Sequence, residues 1–471
     1  MLDKAIKMCG RIKCNKAFNA APLIGRVTTT HTYQRSIHMN PSYIKNALMK
    51  TINFMSSDPA PFVNCPDTDF TRKRKCSFSS LIMCMLTMED HSLNRELREF
   101  FSKTEQKPVS KSAFIQQRLK LNHEAFPFLF RKVNSIAAFR KKMYGYHLIA
   151  VDGSDINVPP LKDDPDTSVR SNTSQICYHQ IHLNAAYDIL EERYVDLSIQ
   201  PRASYDEREA LLEFIQRNPL PDKCIYIADR GYFSSDVLAK LFTSKDHFIL
   251  RLSDGARSFL NRFELPDSEE FDVTLEFSFT RSKKREFLEH PDKYVYVRKG
   301  RRFDLIPEDD KDTTFPVSVR LVKIKLPGGD YEYLLTDLPG KIFGIDKLRE
   351  VYNLRWGIET SFRYLKYNVA LNSFHSIRRD LITQEIYSRV ILYNLTMLLA
   401  HCVTIPQENT KYNRKIAVSD AVVTCRDFLI HRFRNEDILQ LLVRYLTDIR
   451  PGRSFERKTR SKRFVPLANR V

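Results

Sequence analysis

The chain has 471 residues, 42% of them hydrophobic, which is enough for two or three domains with real cores. Its 75 Lys and Arg against 57 Asp and Glu leave a net charge of +18 and a pI near 9.4, favouring a polyanionic partner, nucleic acid first and an anionic membrane second. The nine cysteines are scattered, with no Cys-x-x-Cys pair and none at zinc-ligand spacing, so they read as reduced, buried thiols of a cytosolic protein rather than a disulfide framework or zinc site.

Residues 1–57 hold one acid, Asp3, and nine Lys or Arg, and read as a basic, disordered lead. Their composition is transit-peptide-like, but no apolar run precedes a small-residue cleavage site. A start placed too far upstream, with Met39 as a later one, fits equally. From Asp58 to residue 140 the chain reads as an N-terminal helical region. Pro59, Pro61 and Pro66 mark a loop, and Arg72 to Lys75 place four cations before the apolar segment Phe78 to Met88. A helix over Ser92 to Phe101 follows. A second, capped by Ser110 or Ser112, carries Gln116, Gln117, Arg118 and Lys120 on its outer face. Such a unit suits holding a DNA backbone and reaching base edges; the alternative is an ordinary basic bundle.

Residues 141–252 turn to strands. His147 to Val151 is apolar and ends in Asp152-Gly153-Ser154-Asp155. Ile181 to Tyr187 and Tyr194 to Ile199 predict two more antiparallel strands around a bend at Asp188 to Glu192, followed by a helix over Asp206 to Gln216. Cys224 to Ala228 is apolar throughout, hence covered on both faces, and ends in Asp229-Arg230-Gly231-Tyr232. A helix from Ser235 to Phe242 and a strand from His247 to Leu252 come next. Residues 253–340 form a β-rich insertion. Phe271 to Phe279 alternates with period two, Tyr294 to Val297, Val317 to Ile324 and Tyr331 to Leu335 continue the signal, and basic clusters stand at Arg281 to Arg285 and Arg298 to Arg302. Residues 341–425 are helical again. No apolar run reaches about 18 residues. Val390 to Val403 contains Asn394, Thr396 and His401, so it reads as a buried helix, not a membrane span. Residues 426–471 form a C-terminal helix and a basic tail, with eight Lys or Arg and one acid from Arg450 onward.

Read as a single helix, Tyr352 to Lys366 brings Tyr352, Arg355, Glu359 and Lys366 within roughly 60° of arc, beside an apolar stripe of Leu348, Val351, Ile358, Phe362 and Leu365. Alone, that is the pattern of a solvated salt-bridge face. Two aspartates at the ends of buried strands change the reading. With Glu359, Asp152 and Asp229 supply the oxygen ligands that a pair of Mg²⁺ or Mn²⁺ ions needs, and phosphodiester chemistry uses such a pair to activate the attacking oxygen and stabilise the leaving one.

The residues also resemble a family. Tyr352-x2-Arg355-x3-Glu359-x6-Lys366 matches the YREK signature of the insertion-sequence-four family of bacterial DDE transposases. Leu354 to Phe362, Asn372-Ser373-Phe374-His375-Ser376, Ala150 to Ser154, Ala228 to Tyr232 and Ser110 to Phe114 look very like it too, and the likeness covers about residues 65–440. The resemblance implies an α/β, RNase H-like catalytic core interrupted by the β-rich insertion between Asp229 and Glu359, preceded by an N-terminal helical DNA-binding region. It implies Asp152, Asp229 and Glu359 as catalytic metal ligands for two Mg²⁺ or Mn²⁺ ions, and Tyr352, Arg355 and Lys366 as DNA contacts near the cleavage site. It further implies a cytoplasmic, nucleoid-associated homodimer acting on terminal inverted repeats and target DNA. Cut-and-paste transposition of an insertion sequence, with the second strand cut through a hairpin, is the expected activity. Phe259, Phe263 and Phe277 of the insertion are candidates to stack on an extruded base. A structure-specific nuclease, or a non-catalytic DNA-binding protein derived from a transposase, stay open as other readings.

Overall fold

The computed structural model describes residues 39–161, 164–170, 177–253, 256–326, 328–405, 411–431 and 433–449. Five helices come first: α1 (Pro41–Ser57), α2 (Phe78–Thr87), α3 (Leu93–Lys103), α4 (Lys111–Arg118) and α5 (Ala125–Asn134). Next come β1 (His147–Val158), β2 (Ser168–Arg170), β3 (Cys177–Asp188), β4 (Arg193–Pro201), α6 (Glu207–Arg217), β5 (Cys224–Ala228), α7 (Ser235–Thr243) and β6 (His247–Arg251). The β-rich stretch holds α8 (Arg257–Leu260), β7 (Phe271–Thr280), α9 (Arg285–Leu288), β8 (Tyr294–Tyr296), β9 (Thr314–Lys325) and β10 (Tyr331–Thr336). The remainder is α10 (Ile345–Asn353), α11 (Trp356–Tyr367), α12 (Arg379–Ala400), β11 (Arg414–Ile416), α13 (Val418–Ile430), α14 (Asn435–Arg444) and β12 (Leu446–Asp448). Side chains of Ser77, Ser110, Asp206 and Ser234 accept from free backbone N–H groups at the starts of α2, α4, α6 and α7, which fixes where those helices begin.

One mixed sheet organises the chain, in the order β2-β3-β1-β5-β6-β10-β9-β7-β8, with β4 also on β3. β1, β3 and β4 pair antiparallel, whereas β1, β5 and β6 run parallel. Period-two alternation sorts the core. Ile149, Val151, Tyr226 and Ala228 pack with α6 and α7, while Leu148, Ile225 and Ile227 pack with α10. The third and largest cluster joins α1 to α5 with α11 to α13 against Ala150, Ile156, Leu183 and Tyr194. α12 is buried along nearly its whole length, and among the described residues no helix is long and apolar enough to cross a membrane.

Several expectations need correcting. Residues 41–57 are not part of a disordered lead: Ile44, Leu48, Ile52 and Met55 bury one stripe of α1 in the largest core. Residues 1–38 and the tail beyond 449 lie outside the described residues. The β-rich stretch continues the central sheet: β10 pairs antiparallel with β6 and carries β9, β7 and β8 onto it. Arg118 does not sit on an outer face of α4. It is fully buried, its Nη2 2.8 Å from Glu385 of α12 and donating to Leu381 O at 2.7 Å. Phe259 and Phe277 are buried, and with Phe263 and Phe233 they form an aromatic cluster, so none of the three proposed stackers is presented as an open platform. Arg281 is no surface cation either; its guanidinium donates to the carbonyls of Ile306, Arg298, Arg301 and Phe303.

Candidate active site

The parallel register of β1 and β5 ends at Val151 and Ala228, and Asp152 and Asp229 follow at once. Asp152 is not at a strand end, since β1 runs on to Val158 in its pairing with β3. What stops beside it is β5. Asp229 leaves β5 into the turn where Tyr232 N–H donates to its carbonyl. Carboxyl ends of adjoining parallel strands are where open α/β sheets place their reactive groups.

The Tyr352–Lys366 stretch is two helices. α10 ends at Asn353, α11 starts at Trp356, and i→i−3 bonds from Gly357 to Leu354 and from Ile358 to Arg355 make the join. Gly357 at the join faces Ile189, whose Cγ2 would lie 3.4 Å from an added Cβ. The join turns Arg355 inward, to 2% exposure, where its Nη2 donates to Glu359 Oε1 at 2.9 Å. Its guanidinium carbon also lies 5.2 Å from the Trp356 ring centre and 5.7 Å from that of Tyr352. Tyr352 is 3% exposed and donates its phenol proton to Asp229 Oδ1 at 3.2 Å. Lys366 donates to Ser154 Oγ at 2.7 Å and to the Asp155 carbonyl at 2.8 Å. Thus the structure brings Tyr352, Arg355, Glu359 and Lys366 to Asp152 and Asp229, with all three expected DNA contacts engaged inside the protein.

Sequence reading missed four neighbours. Arg251, last residue of β6, reaches Asp229 Oδ1 at 3.6 Å and Glu332 Oε1 of β10 at 3.1 Å. On the other flank, His182 of β3 bridges Asp155 Oδ1 (2.7 Å) and Glu207 Oε1 (3.1 Å). A side chain at Gly153 would strike that bridge, with a Cβ 2.3 Å from His182 Nε2 and 2.7 Å from Glu207 Oε1. The Asp-Gly pair thus has a packing reason beyond turn chemistry.

Electrostatics follow from this crowding of acids. Burial pushes the Asp152 carboxyl up to about 7; Arg355 and the Gly153 N–H oppose the rise, and Glu359 and Glu207 add to it. Burial likewise raises Glu332, against Arg251, and lowers the Lys366 ammonium, against Asp155. Burial also works against the His182 imidazolium, but Asp155 and Glu207 outweigh it and raise its pKa. Carboxylates that burial and like charge hold above their usual range, presenting only hard oxygen donors, fit a hard divalent cation. Among the described residues no three His, Cys, Asp or Glu are drawn close enough to form a ready metal cage.

Fold and site together define a class: a mixed α/β protein with an acidic, arginine-balanced site at the carboxyl edge of its parallel strands. Residues 144–395, more than half of the chain and spanning every residue of this site, match the family model described as the transposase DDE domain, and the chain belongs to that family. No curated protein sequence matches it. Among solved structures, a cryo-EM structure of a piggyBac transposase synaptic complex with hairpin DNA aligns with a TM-score of 0.41 and 10% identity, over 83% of this chain and 80% of that one.

Proposed function

We propose that this transposase cuts and joins DNA at transposon ends, in the manner of the insertion-sequence-four family, with Asp152, Asp229 and Glu359 as its catalytic carboxylates on an RNase H-like core. One observation carries the reading: two aspartates at one level of adjoining parallel strands, met by Glu359 from a helix packed across them. The strand order β4-β3-β1-β5-β6, antiparallel then parallel, supports the core assignment.

Asp152, Asp229 and Glu359 would hold two Mg²⁺ or Mn²⁺ ions, which supply an activated attacking oxygen and charge neutralisation at the leaving oxygen. The protein's own groups do the rest. Lys366, anchored on Ser154, stands beside the carboxylates to steer a phosphate. Arg355 provides a planar, permanently charged fork for phosphate oxygens once it leaves Glu359. Tyr352 orients Asp229 through its phenol. The exposed cations Arg72, Lys73, Arg74 and Lys75, ahead of α2, suit the backbone of the terminal inverted repeats. A homodimer on paired ends completes the proposal.

The test is Mg²⁺-dependent cleavage of DNA carrying the element's ends, wild type against Glu359→Gln. Equal rates would overturn the site. Joining of pre-cut ends to a target plasmid separates a transposase from a nuclease with the same site.

A further inference from the structure

Arg355 is unusual among the cations of the site. It is almost wholly buried, it is ion-paired to the helix-borne carboxylate, and its Nε has no hydrogen-bond acceptor. Tyr352, whose ring it faces, is tied to Asp229. The charges of Asp229, Glu359 and Asp152 all act on the guanidinium, and Arg251 shares the balancing of Asp229 from the other side. A guanidinium bonded to Glu359 Oε1 occupies one of the two oxygens this carboxylate offers, and a divalent ion on the same carboxylate would repel it. The same residues are not gathered into a cage among the described side chains.

We propose that Arg355 and the divalent ion compete for the same carboxylates, so that ion binding and release of the guanidinium from Glu359 are one event. Arg355 is therefore a built-in counter-ion that becomes available to a DNA phosphate only when the site is loaded. This couples loading to DNA engagement: ion and phosphate stabilise one arrangement, in which Arg355 has left Glu359, and each raises affinity for the other. The inference rests on the metal-site reading of Asp152, Asp229 and Glu359.

Trp356 makes the event observable. It is the only tryptophan in the chain, and the Arg355 guanidinium carbon lies 5.2 Å from its ring centre. Mg²⁺ is titrated into the full chain without DNA, following calorimetry and tryptophan emission together. The expected result is saturable binding accompanied by an emission change with the same midpoint, both lost in Asp152→Asn. Arg355→Gln is expected to bind Mg²⁺ at least about 10-fold more tightly than wild type, because a like charge beside the ion is removed. Arg355→Lys, which keeps the charge, is expected to stay within about threefold of wild type on the same grounds. Saturable binding lost in Asp152→Asn but without an emission change, or with unchanged affinity in Arg355→Gln, overturns the competition and leaves the metal site standing. Absence of any Asp152-dependent binding overturns the metal-site reading itself. The emission arm needs no Arg355 variant, so a poorly folded one does not remove the test.

Discussion

Asp152 and Asp229 each come one residue after the last parallel pair of β1 and β5, Val151 with Ala228, so adjoining strands present them at the same level. A neutral isostere at either position removes a ligand without changing shape. Asp152→Asn and Asp229→Asn are each expected to slow Mg²⁺-dependent end cleavage by about a thousandfold, about 4 kcal/mol of barrier. Asp152→Asn carries a second signature. Its carboxyl is raised to about 7 from an ordinary 3.8, so the ionised group opposes folding above pH 7, and that opposition fades as pH falls toward 4. Metal-free Asp152→Asn is therefore expected to melt above wild type at pH 8, by about 1 kcal/mol or about 1 °C, and level with it near pH 4. Thermal denaturation against pH checks both ends.

Gly153 has no room for a methyl group, since its Cβ would sit 2.3 Å from His182 Nε2 and 2.7 Å from Glu207 Oε1. Gly153→Ala must push both side chains away and with them the bridge to Asp155. Destabilisation of about 1–3 kcal/mol is expected, with slower cleavage because Asp152 is the adjoining residue. Gly153→Ala combined with His182→Ala is expected to recover part of the melting temperature. A double-mutant cycle with no coupling between the two would show that the clash is not the cause.

Arg281 lies in a run of cations that looks like a DNA-binding patch, yet it is 7% exposed and satisfies four carbonyls between Arg298 and Ile306. Arg281→Ala leaves those buried acceptors without a donor and is expected to cost about 1–3 kcal/mol. Amide exchange should rise first at residues 298–306. Lys283→Ala next door is expected to change stability by less than about 0.5 kcal/mol and to act, if at all, on DNA affinity.

What the sequence revealed and what it hid divide along local and non-local lines. Asp229 at the end of an apolar strand, the capped start of α4 and the helical run of α6 depend on neighbouring residues, and were legible. So were the antiparallel β1, β3 and β4, because alternation and the bend at Asp188 are local. Glu332 and Arg251 reach Asp229 only because β10 returns beside β6, a pairing that no periodicity encodes. The break between α10 and α11 escaped notice because the apolar and polar spacing runs on through the join, where only the bonding changes to i→i−3 at Gly357 and Ile358. α1 was hidden by a composition argument, although Ile44, Leu48, Ile52 and Met55 already stood at helical spacing. His375, part of a family-like motif, turns out to bind Glu385 and the His91 carbonyl, which ties α12 to the N-terminal helices rather than to the site.

That tie centres on Arg118 and Glu385, both fully buried and 2.8 Å apart, which join α4 to α12. Burial would raise the Glu385 carboxyl, but Arg118, with His375 and Arg389, outweighs it and holds the pKa at about 2, below its ordinary 4.5. A depressed carboxyl stabilises the folded state fully above pH 4.5, and that contribution is lost as pH falls from there toward 2. Glu385→Gln leaves Arg118 without its counter-charge and is expected to cost about 3–5 kcal/mol at pH 7. The difference in melting temperature between wild type and Glu385→Gln should therefore be constant from pH 7 to pH 5 and shrink steadily below 4.5. Arg118→Met combined with Glu385→Leu is expected to cost less than Glu385→Gln alone, because the Arg118 charge is removed along with its partner. A gap that stays constant down to pH 3 would mean that this ion pair does not hold the helical layer to the core.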